Sequence, residues 1–173
     1  SWVEGDLTRY MEYPVLAGLF QQFCAFISRN TYFAVSRILP ESGWYFYVTV
    51  LILAAIWVVT ARMVAELAGN RIWDTLLVVG SPLLIMHLFT NWDIPSIFFV
   101  VAAMLAVRNK KYWLAGVLIG AGTAFKLWPL FILGAYLVLA IRKRNFVPFL
   151  KMVATTALTW GAVNLPVYLH NPE

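Results

Sequence analysis

Residues 44–67 read WYFYVTVLILAAIWVVTARMVAEL, and this stretch decides the class of protein. It begins with aromatic residues and contains no charged residue before Arg62. An α-helix needs about 20 consecutive, mostly apolar residues to cross the hydrocarbon core of a bilayer. The stretch therefore predicts a membrane-spanning helix.

The rest of the chain has the same apolar character. Its 173 residues are 62% hydrophobic and 12% charged, with a mean hydropathy of +0.77, whereas about 25% of the residues in an ordinary soluble domain are charged. The net charge of +5 comes from short basic clusters between apolar runs. That distribution is typical of cytoplasmic loops rather than of a nucleic-acid-binding surface.

Motifs for several kinds of chemistry are missing from the sequence. The chain has one cysteine, Cys24, and no Cys/His cluster with zinc-ligand spacing. It also has no glycine-rich phosphate loop and no Gly-x-Ser-x-Gly motif. We therefore expect no disulfide, metal or cofactor, and no ATP-driven or hydrolytic activity.

Six apolar runs predict an all-α, polytopic helical membrane protein. The predicted spans are residues 44–67, 73–90, 94–107, 112–125, 127–141 and 146–165. The basic clusters Arg108-Asn109-Lys110-Lys111 and Arg142-Lys143-Arg144 mark the cytoplasmic ends, because cytoplasmic loops carry an excess of Lys and Arg.

The remaining residues complete this topology. We expect residues 1–43 to form an external loop with an amphipathic helix at 14–27 on the outer interface, and residues 44–173 to form the transmembrane region. Both ends fall in loops, which suggests a piece of a longer protein.

Two of the predicted spans are too short to cross the bilayer upright. At 1.5 Å per residue, 94–107 and 112–125 rise only about 20 Å through a core about 30 Å thick. If their basic ends lie at the cytoplasmic interface, Asp93 and Lys126 lie in a recess below the outer surface. Backbone that turns at membrane depth must be sheltered by protein or line a watery cavity. The sequence therefore predicts an outward-facing cleft.

Asp93 and Lys126 are the main candidates for chemistry, and each has a plainer explanation. Asp93 begins a helix, so its carboxylate can simply cap that helix, although Asn91 and Trp92 add a hydrogen-bonding group and a stacking surface. Lys126 can extend its ammonium to the membrane interface. Its predicted position on the outer side runs against the positive-inside bias, which favours an anionic partner such as a phosphate.

Two other ionisable residues are weaker candidates. Glu12 lies in the external loop, where carboxylates are commonly just solvated, but beside an embedded lysine it could act as a general base toward a sugar hydroxyl. His87 lies within a predicted span, where a histidine is more often a satisfied core residue than a functional one.

Four motifs in order resemble glycosyltransferase family 87, the actinobacterial membrane glycosyltransferases of the GT-C clan. They are Tyr10-Met11-Glu12-Tyr13-Pro14-Val15-Leu16, Phe89-Thr90-Asn91-Trp92-Asp93, Leu114-Ala115-Gly116 leading to Phe125-Lys126-Leu127-Trp128-Pro129-Leu130, and Asn164-Leu165-Pro166-Val167. The resemblance covers most of the chain. It implies a GT-C-like transmembrane bundle with short helices.

The resemblance also implies an activity. The family moves a sugar, typically mannose or arabinofuranose, from a polyprenyl-phosphate donor to a glycolipid or cell-wall polysaccharide outside the membrane, with inversion. Its base is an Asp in the first external loop, which we expect to lie upstream of Ser1. In this chain the resemblance implies Lys126 as the donor-phosphate ligand and Asp93 or Glu12 as the group that orients hydroxyls. The remaining expected substrate contacts are Tyr13, His87, Asn91, Trp92 and Trp128.

A different class of protein also fits these residues. In a non-enzymatic membrane component, such as a lipid flippase or a scaffold subunit, Asp93 and Lys126 would form a buried pair that holds helices together.

Overall fold

The computed structural model describes residues 14–82, 86 and 92–170, and the regular secondary structure there is all helical, with no strand. The all-α class is therefore confirmed. The helices are α1 (Val15–Thr31), α2 (Glu41–Ala68), α3 (Ile72–Val79), α4 (Asp93–Arg108), α5 (Tyr112–Phe125), α6 (Ile132–Lys143) and α7 (Val147–His170). Five of the six predicted spans start within three residues of the start of a helix, and 112–125 coincides with α5. The predicted amphipathic helix runs on to Thr31.

Helix α5 lies at the centre of the described bundle, packed between α4 and α7. Its contact with α7 is close because of Gly116 and Gly120. A Cβ on Gly116 would lie 2.3 Å from the carbonyl oxygen of Met152, and one on Gly120 would lie 2.7 Å from that of Thr156. The Thr156 hydroxyl donates a 3.0 Å hydrogen bond to the Gly116 carbonyl. Glycines four residues apart let two helix backbones approach each other in this way.

The two turns that carry the basic clusters have the same construction. After α4, Lys110 has φ +58°, its N–H bonds to Val107 O at 2.9 Å, and the Lys111 N–H bonds to Ala106 O at 2.8 Å. After α6, Arg144 has φ +50° and the same pair of bonds is made by Arg144 and Asn145. This is the Schellman helix ending, whose left-handed position is usually glycine. Both turns lie at one end of the bundle, since α4–α5 and α6–α7 are hairpins.

The predicted span 73–90 is wrong as a single helix. Helix α3 ends at Val79, and the chain turns at Gly80. The physical reason is Pro82, which has no N–H to donate and pushes the preceding Ser81 away from helical backbone angles. Residues 83–85 and 87–91 lie outside the described part of the chain.

The start of the predicted span 127–141 is also wrong. Lys126 is extended, at φ −155° and ψ 146°, and a 3-10 turn at Trp128–Phe131 precedes α6, which begins at Ile132. Pro129 cannot donate a helical hydrogen bond and disfavours helical angles at Trp128, so the α-helix forms only beyond it.

Within the described residues, one helical stretch, Glu41–Val79, is long and apolar enough to cross a membrane. It comprises α2 and α3, which are joined by a turn in which Gly69 has φ +58°. Helices α4 and α5 have 16 and 14 residues and are about 24 and 21 Å long. Large apolar side chains also face outward, including Phe26, Leu51, Leu77, Phe131 and Leu158. An exposed apolar surface of this kind is typical of contact with lipid or with a partner protein.

Candidate functional site

The two charged motifs of the sequence meet in the structure. Lys126 Nζ and Asp93 Oδ1 form an ion pair and hydrogen bond, although the residues are 33 positions apart. Asp93 is the first residue of α4, and Lys126 directly follows α5, so the pair joins the ends of the α4–α5 hairpin opposite the basic turn. The side chains are 28% exposed for Lys126 and 39% for Asp93. The pair is therefore partly open to its surroundings.

Asp93 also lies where a carboxylate is favoured by the helix itself. It occupies the first turn of α4, next to the positive end of the helix dipole. The N-cap residue is Trp92, which makes no side-chain capping hydrogen bond. The negative charge of Asp93 is therefore stabilised both by the start of α4 and by the ammonium of Lys126.

Gly122 allows the segment after α5 to fold back beside Asp93. A Cβ on Gly122 would lie 3.1 Å from Phe99 Cβ on α4 and 3.3 Å from the Pro129 ring. The Gly122 carbonyl also accepts a 2.9 Å hydrogen bond from the Lys126 N–H. A Cβ at position 122 would therefore require Phe99 or the Pro129 ring to move by a few tenths of an ångström.

An aromatic cluster packs next to the ion pair and connects it to α1. Phe20 of α1 contacts Trp92 edge-on, with ring centroids 5.8 Å apart and an interplanar angle of 76°. Phe20 also contacts Phe125, the last residue of α5, at 5.8 Å and 64°. Phe99 of α4 lies 5.8 Å from Phe125. The residues beside both charged groups are thus held in place by α1.

The sequence analysis did not single out these phenylalanines. For Phe20 a signal was available in the sequence, because Ala17, Phe20 and Cys24 are apolar residues at helical spacing. The structure buries Ala17 and Cys24 fully. That spacing places Phe20 on the inward side of α1. Its contact with Trp92 and Phe125 depends on how the helices pack, which no local pattern reveals.

Of the other predicted site residues, the structure describes the two tryptophans. Trp128 lies two positions after Lys126 with its side chain 38% exposed. Trp92 is half-buried between Phe20 and the start of α4. The predicted residues Glu12, Tyr13, His87 and Asn91 lie outside the described residues.

Two apolar crevices share Trp160 of α7. One, of about 280 Å³, is bordered by Thr123, Leu127, Leu130 and Trp160 among others. The second, of about 580 Å³, is bordered by Val15 at the start of α1 and, on α7, by Trp160, Gly161, Asn164, Leu165, Val167 and Tyr168. Trp160 lines both crevices, so they are neighbours. Together they provide an apolar surface that leads toward Leu127, the residue after Lys126.

The chemistry available at this site is that of a single positive charge with an acidic partner. An ammonium has three N–H donors and can bind a carboxylate and a phosphate oxygen together. Across 14–82, 86 and 92–170, no three His, Cys, Asp or Glu side chains come together as a metal site would require. Charge neutralisation by Lys126 is thus the clearest property of the described site.

Three comparisons with known proteins were made. The family model described as Glycosyltransferase family 87 matches residues 13–172. A search of curated proteins found no match, and a search of solved structures also found none.

Proposed function

This chain belongs to glycosyltransferase family 87, and from that premise we propose that it transfers a sugar from a polyprenyl-phosphate donor. Family membership assigns glycosyl transfer as the reaction class. The proposed sugar is a hexose or pentose of the mannose or arabinofuranose class. The proposed acceptor is a glycolipid or cell-wall polysaccharide on the outer side of the bacterial cytoplasmic membrane.

The proposed setting is a multi-pass bundle with the ion pair toward the outer side. In this arrangement residues 1–43 are external and residues 44–173 form the transmembrane region. Three observations support it: the apolar stretch Glu41–Val79, the outward-facing apolar side chains, and the basic turns at the end of the bundle opposite Asp93 and Lys126. Because α4 and α5 are shorter than the bilayer core, the ion pair would lie below the outer surface.

Lys126 is the proposed ligand of the donor phosphate. The observation that carries this proposal is the partly exposed Lys126–Asp93 ion pair. Asp93 holds the ammonium at the ends of α4 and α5, and a phosphate can share Lys126 with Asp93 or take its place. Lysine suits this role because it is a compact point charge that binds phosphate without requiring bidentate geometry.

The proposed reaction is an inverting displacement at the anomeric carbon. The acceptor hydroxyl oxygen forms a bond to that carbon while the bond to the phosphate oxygen breaks, and the electron pair leaves with the phosphate. A carboxylate accepts the hydroxyl proton, and Glu12 is the candidate within residues 1–173. Lys126 stabilises the negative charge that develops on the leaving phosphate, which is the term most often dominant in such catalysis.

Aromatic and apolar surfaces around the pair would bind the rest of the donor. Trp92 and Trp128 offer flat apolar faces suited to a sugar ring or a prenyl unit. The crevices that share Trp160 would hold the first prenyl units, since both are lined mainly by apolar residues and the smaller one includes Leu127, the residue after Lys126. His87, Asn91 and Tyr13 remain proposed substrate contacts.

The decisive experiment replaces Lys126 by methionine, which keeps most of its length but removes its charge. Sugar transfer from a radiolabelled polyprenyl-phosphate sugar should fall by about 10²–10³, the range measured when one charge-stabilising donor is removed. Lys111→Met, in the opposite basic turn, is the matched control and should keep normal activity. Near-normal transfer by folded Lys126→Met protein would refute the proposal.

The same ion pair supports the competing explanation, in which Asp93 and Lys126 only hold α4 and α5 together. That explanation predicts that Asp93→Asn and Lys126→Met lose folded protein to the same degree, because each leaves one charge unpaired. Glycosyl transfer instead predicts a folded Lys126→Met protein without activity. A lipid flippase would move the lipid-linked sugar across vesicles without forming a glycosidic bond, and mass spectrometry of the product distinguishes this outcome.

A further inference from the structure

The end of the bundle opposite the ion pair contains a second cavity, bordered by both basic turns. It has a volume of about 360 Å³. Arg108 and Lys110 line it from the α4–α5 turn, and Lys143 lines it from the end of α6. None of the residues that line this cavity, within the described part of the chain, is acidic. Three positive charges therefore face one cavity with no carboxylate in its wall.

We propose that this cavity binds the phosphate of an anionic membrane lipid. The proposal relies on the membrane placement given above but not on sugar transfer. Clusters of Lys and Arg at the cytoplasmic ends of membrane helices attract acidic lipid headgroups. A phosphate here would relieve the mutual repulsion of Arg108, Lys110 and Lys143 and accept hydrogen bonds from their side chains.

The backbone at Lys110 provides a matched comparison for the test. Its left-handed conformation, φ +58°, is one in which glycine is the ordinary residue and a side chain is unfavourable. A lysine at this position places a charge on the wall of the cavity at some cost in stability. The turn at Arg144 has the same conformation, but Arg144 does not line the cavity, which makes it a natural comparison.

The composition of the cavity favours a lipid over a soluble phosphate. Leu139, Phe149 and Met152 also line it, and Tyr112 and Tyr136 add ring surface. Next to it, Leu150 is 59% exposed on the outer surface of α7. A lipid can use both features, with its phosphate at the basic rim and its acyl chains along the apolar sides of α6 and α7.

Arg108 also makes a hydrogen bond that holds two helices together, so it is not a suitable residue to replace in the test. Its guanidinium donates a hydrogen bond to the carbonyl of Glu66, near the end of α2. That carbonyl is among the last of the helix, which have no partner within it. Arg108 therefore ties the ends of α2 and α4 together, and the variants below leave it unchanged.

The test compares Lys110→Gly with Arg144→Gly in the full purified chain. Each variant removes one positive charge from a left-handed Schellman position, so both should fold. Phosphatidylglycerol binding is measured by native mass spectrometry during titration, with phosphatidylcholine as the neutral lipid. We expect Lys110→Gly to weaken phosphatidylglycerol binding about 5-fold, from about 1 kcal/mol per charge near a membrane surface, while Arg144→Gly binds normally.

A second matched pair of variants changes the charge without changing a left-handed turn residue. Lys143→Gln should weaken binding by the same factor, whereas Arg142→Gln, one position earlier in α6, should not. Equal losses in cavity and control variants would mean diffuse surface attraction and would overturn the proposal. Equal retention of phosphatidylcholine, or displacement of the lipid by millimolar inorganic phosphate, would also overturn it. Sugar transfer is assayed separately, so failure of the lipid site leaves the proposed activity to be judged on its own.

Discussion

Replacing Gly116 by alanine tests whether the close approach of α5 and α7 sets the position of Lys126. The new methyl group would lie 1.9 Å from the Thr155 hydroxyl oxygen and 2.3 Å from the Met152 carbonyl oxygen. The threonine side chain can rotate away, but the carbonyl belongs to the backbone of α7 and cannot. The two helices would therefore have to separate by about 1 Å for the methyl group to reach ordinary contact distance.

The expected cost follows from three contributions. Overpacking of a close interface costs about 1–3 kcal/mol. Separation also weakens the hydrogen bond from Thr156 to Gly116, worth about 1 kcal/mol. The alanine recovers about 0.5–1 kcal/mol because it is a better helix former than glycine. We therefore expect Gly116→Ala to destabilise the bundle by about 2 kcal/mol.

Gly134 supplies the matched control, because nothing lies within 4 Å of a Cβ built there. Gly134→Ala, in the first turn of α6, should be neutral or stabilising, by up to about 1 kcal/mol. Both variants can be compared by reversible unfolding in mixed detergent, followed by circular dichroism. If Gly116→Ala proved as stable as Gly134→Ala, the close α5–α7 contact would not exist in the protein and the geometry assigned to Lys126 would lose its support.

Three further predictions concern helix ends, α1 and the cysteine. Lys110→Gly and Arg144→Gly should each raise the free energy of unfolding by about 0.5–1 kcal/mol, because glycine adopts the left-handed backbone conformation without the strain that a side chain causes. Unchanged or lower stability in chemical unfolding would contradict this. Phe20→Ala should loosen α1 from the bundle, at a cost of about 2 kcal/mol, because it removes a half-buried ring with two aromatic partners. Limited proteolysis should then cut the connection at 32–40 more readily. A variant as resistant to protease as the unaltered chain would count against the packing. Burial raises the pKa of the Cys24 thiol, so maleimide labelling should be slow in the folded chain and fast after unfolding, and rapid labelling of the folded protein would refute the burial. Because the thiol ionises at a lower pH in the unfolded chain than in the folded one, the free energy of unfolding should decline above about pH 8.5.

Helix positions were largely predictable from hydropathy and charge. The limits of α5 follow from the basic residues before Tyr112 and the lysine after Phe125, which bracket an uncharged run. The ends of α4 and α6 were signalled by their basic clusters in the same way. Prediction failed at Pro82, where apolar composition suggested one continuous span but the missing N–H interrupts the helix, and at the start of α6, which begins at Ile132 rather than at residue 127.

Part of the site was predictable for a similar reason. A carboxylate and a lysine at the ends of two short apolar runs, joined by a basic turn, indicate an antiparallel hairpin whose charges face the same end. The sequence therefore suggested that Asp93 and Lys126 share a recess. It could not show that they bond to each other, since that depends on the extended backbone at Lys126 and on the space left by Gly122.

By itself, the sequence determined the helical class, the order of the apolar segments and the family, because these depend on composition and on residues close together along the chain. Only the tertiary structure decided that Phe20 packs against Trp92 and Phe125, the residues next to the charged pair, and that Arg108, Lys110 and Lys143 line one cavity. These arrangements join residues far apart in the chain. They arise from how closely the helix backbones approach, which glycine contacts and side-chain packing set only once the bundle has formed.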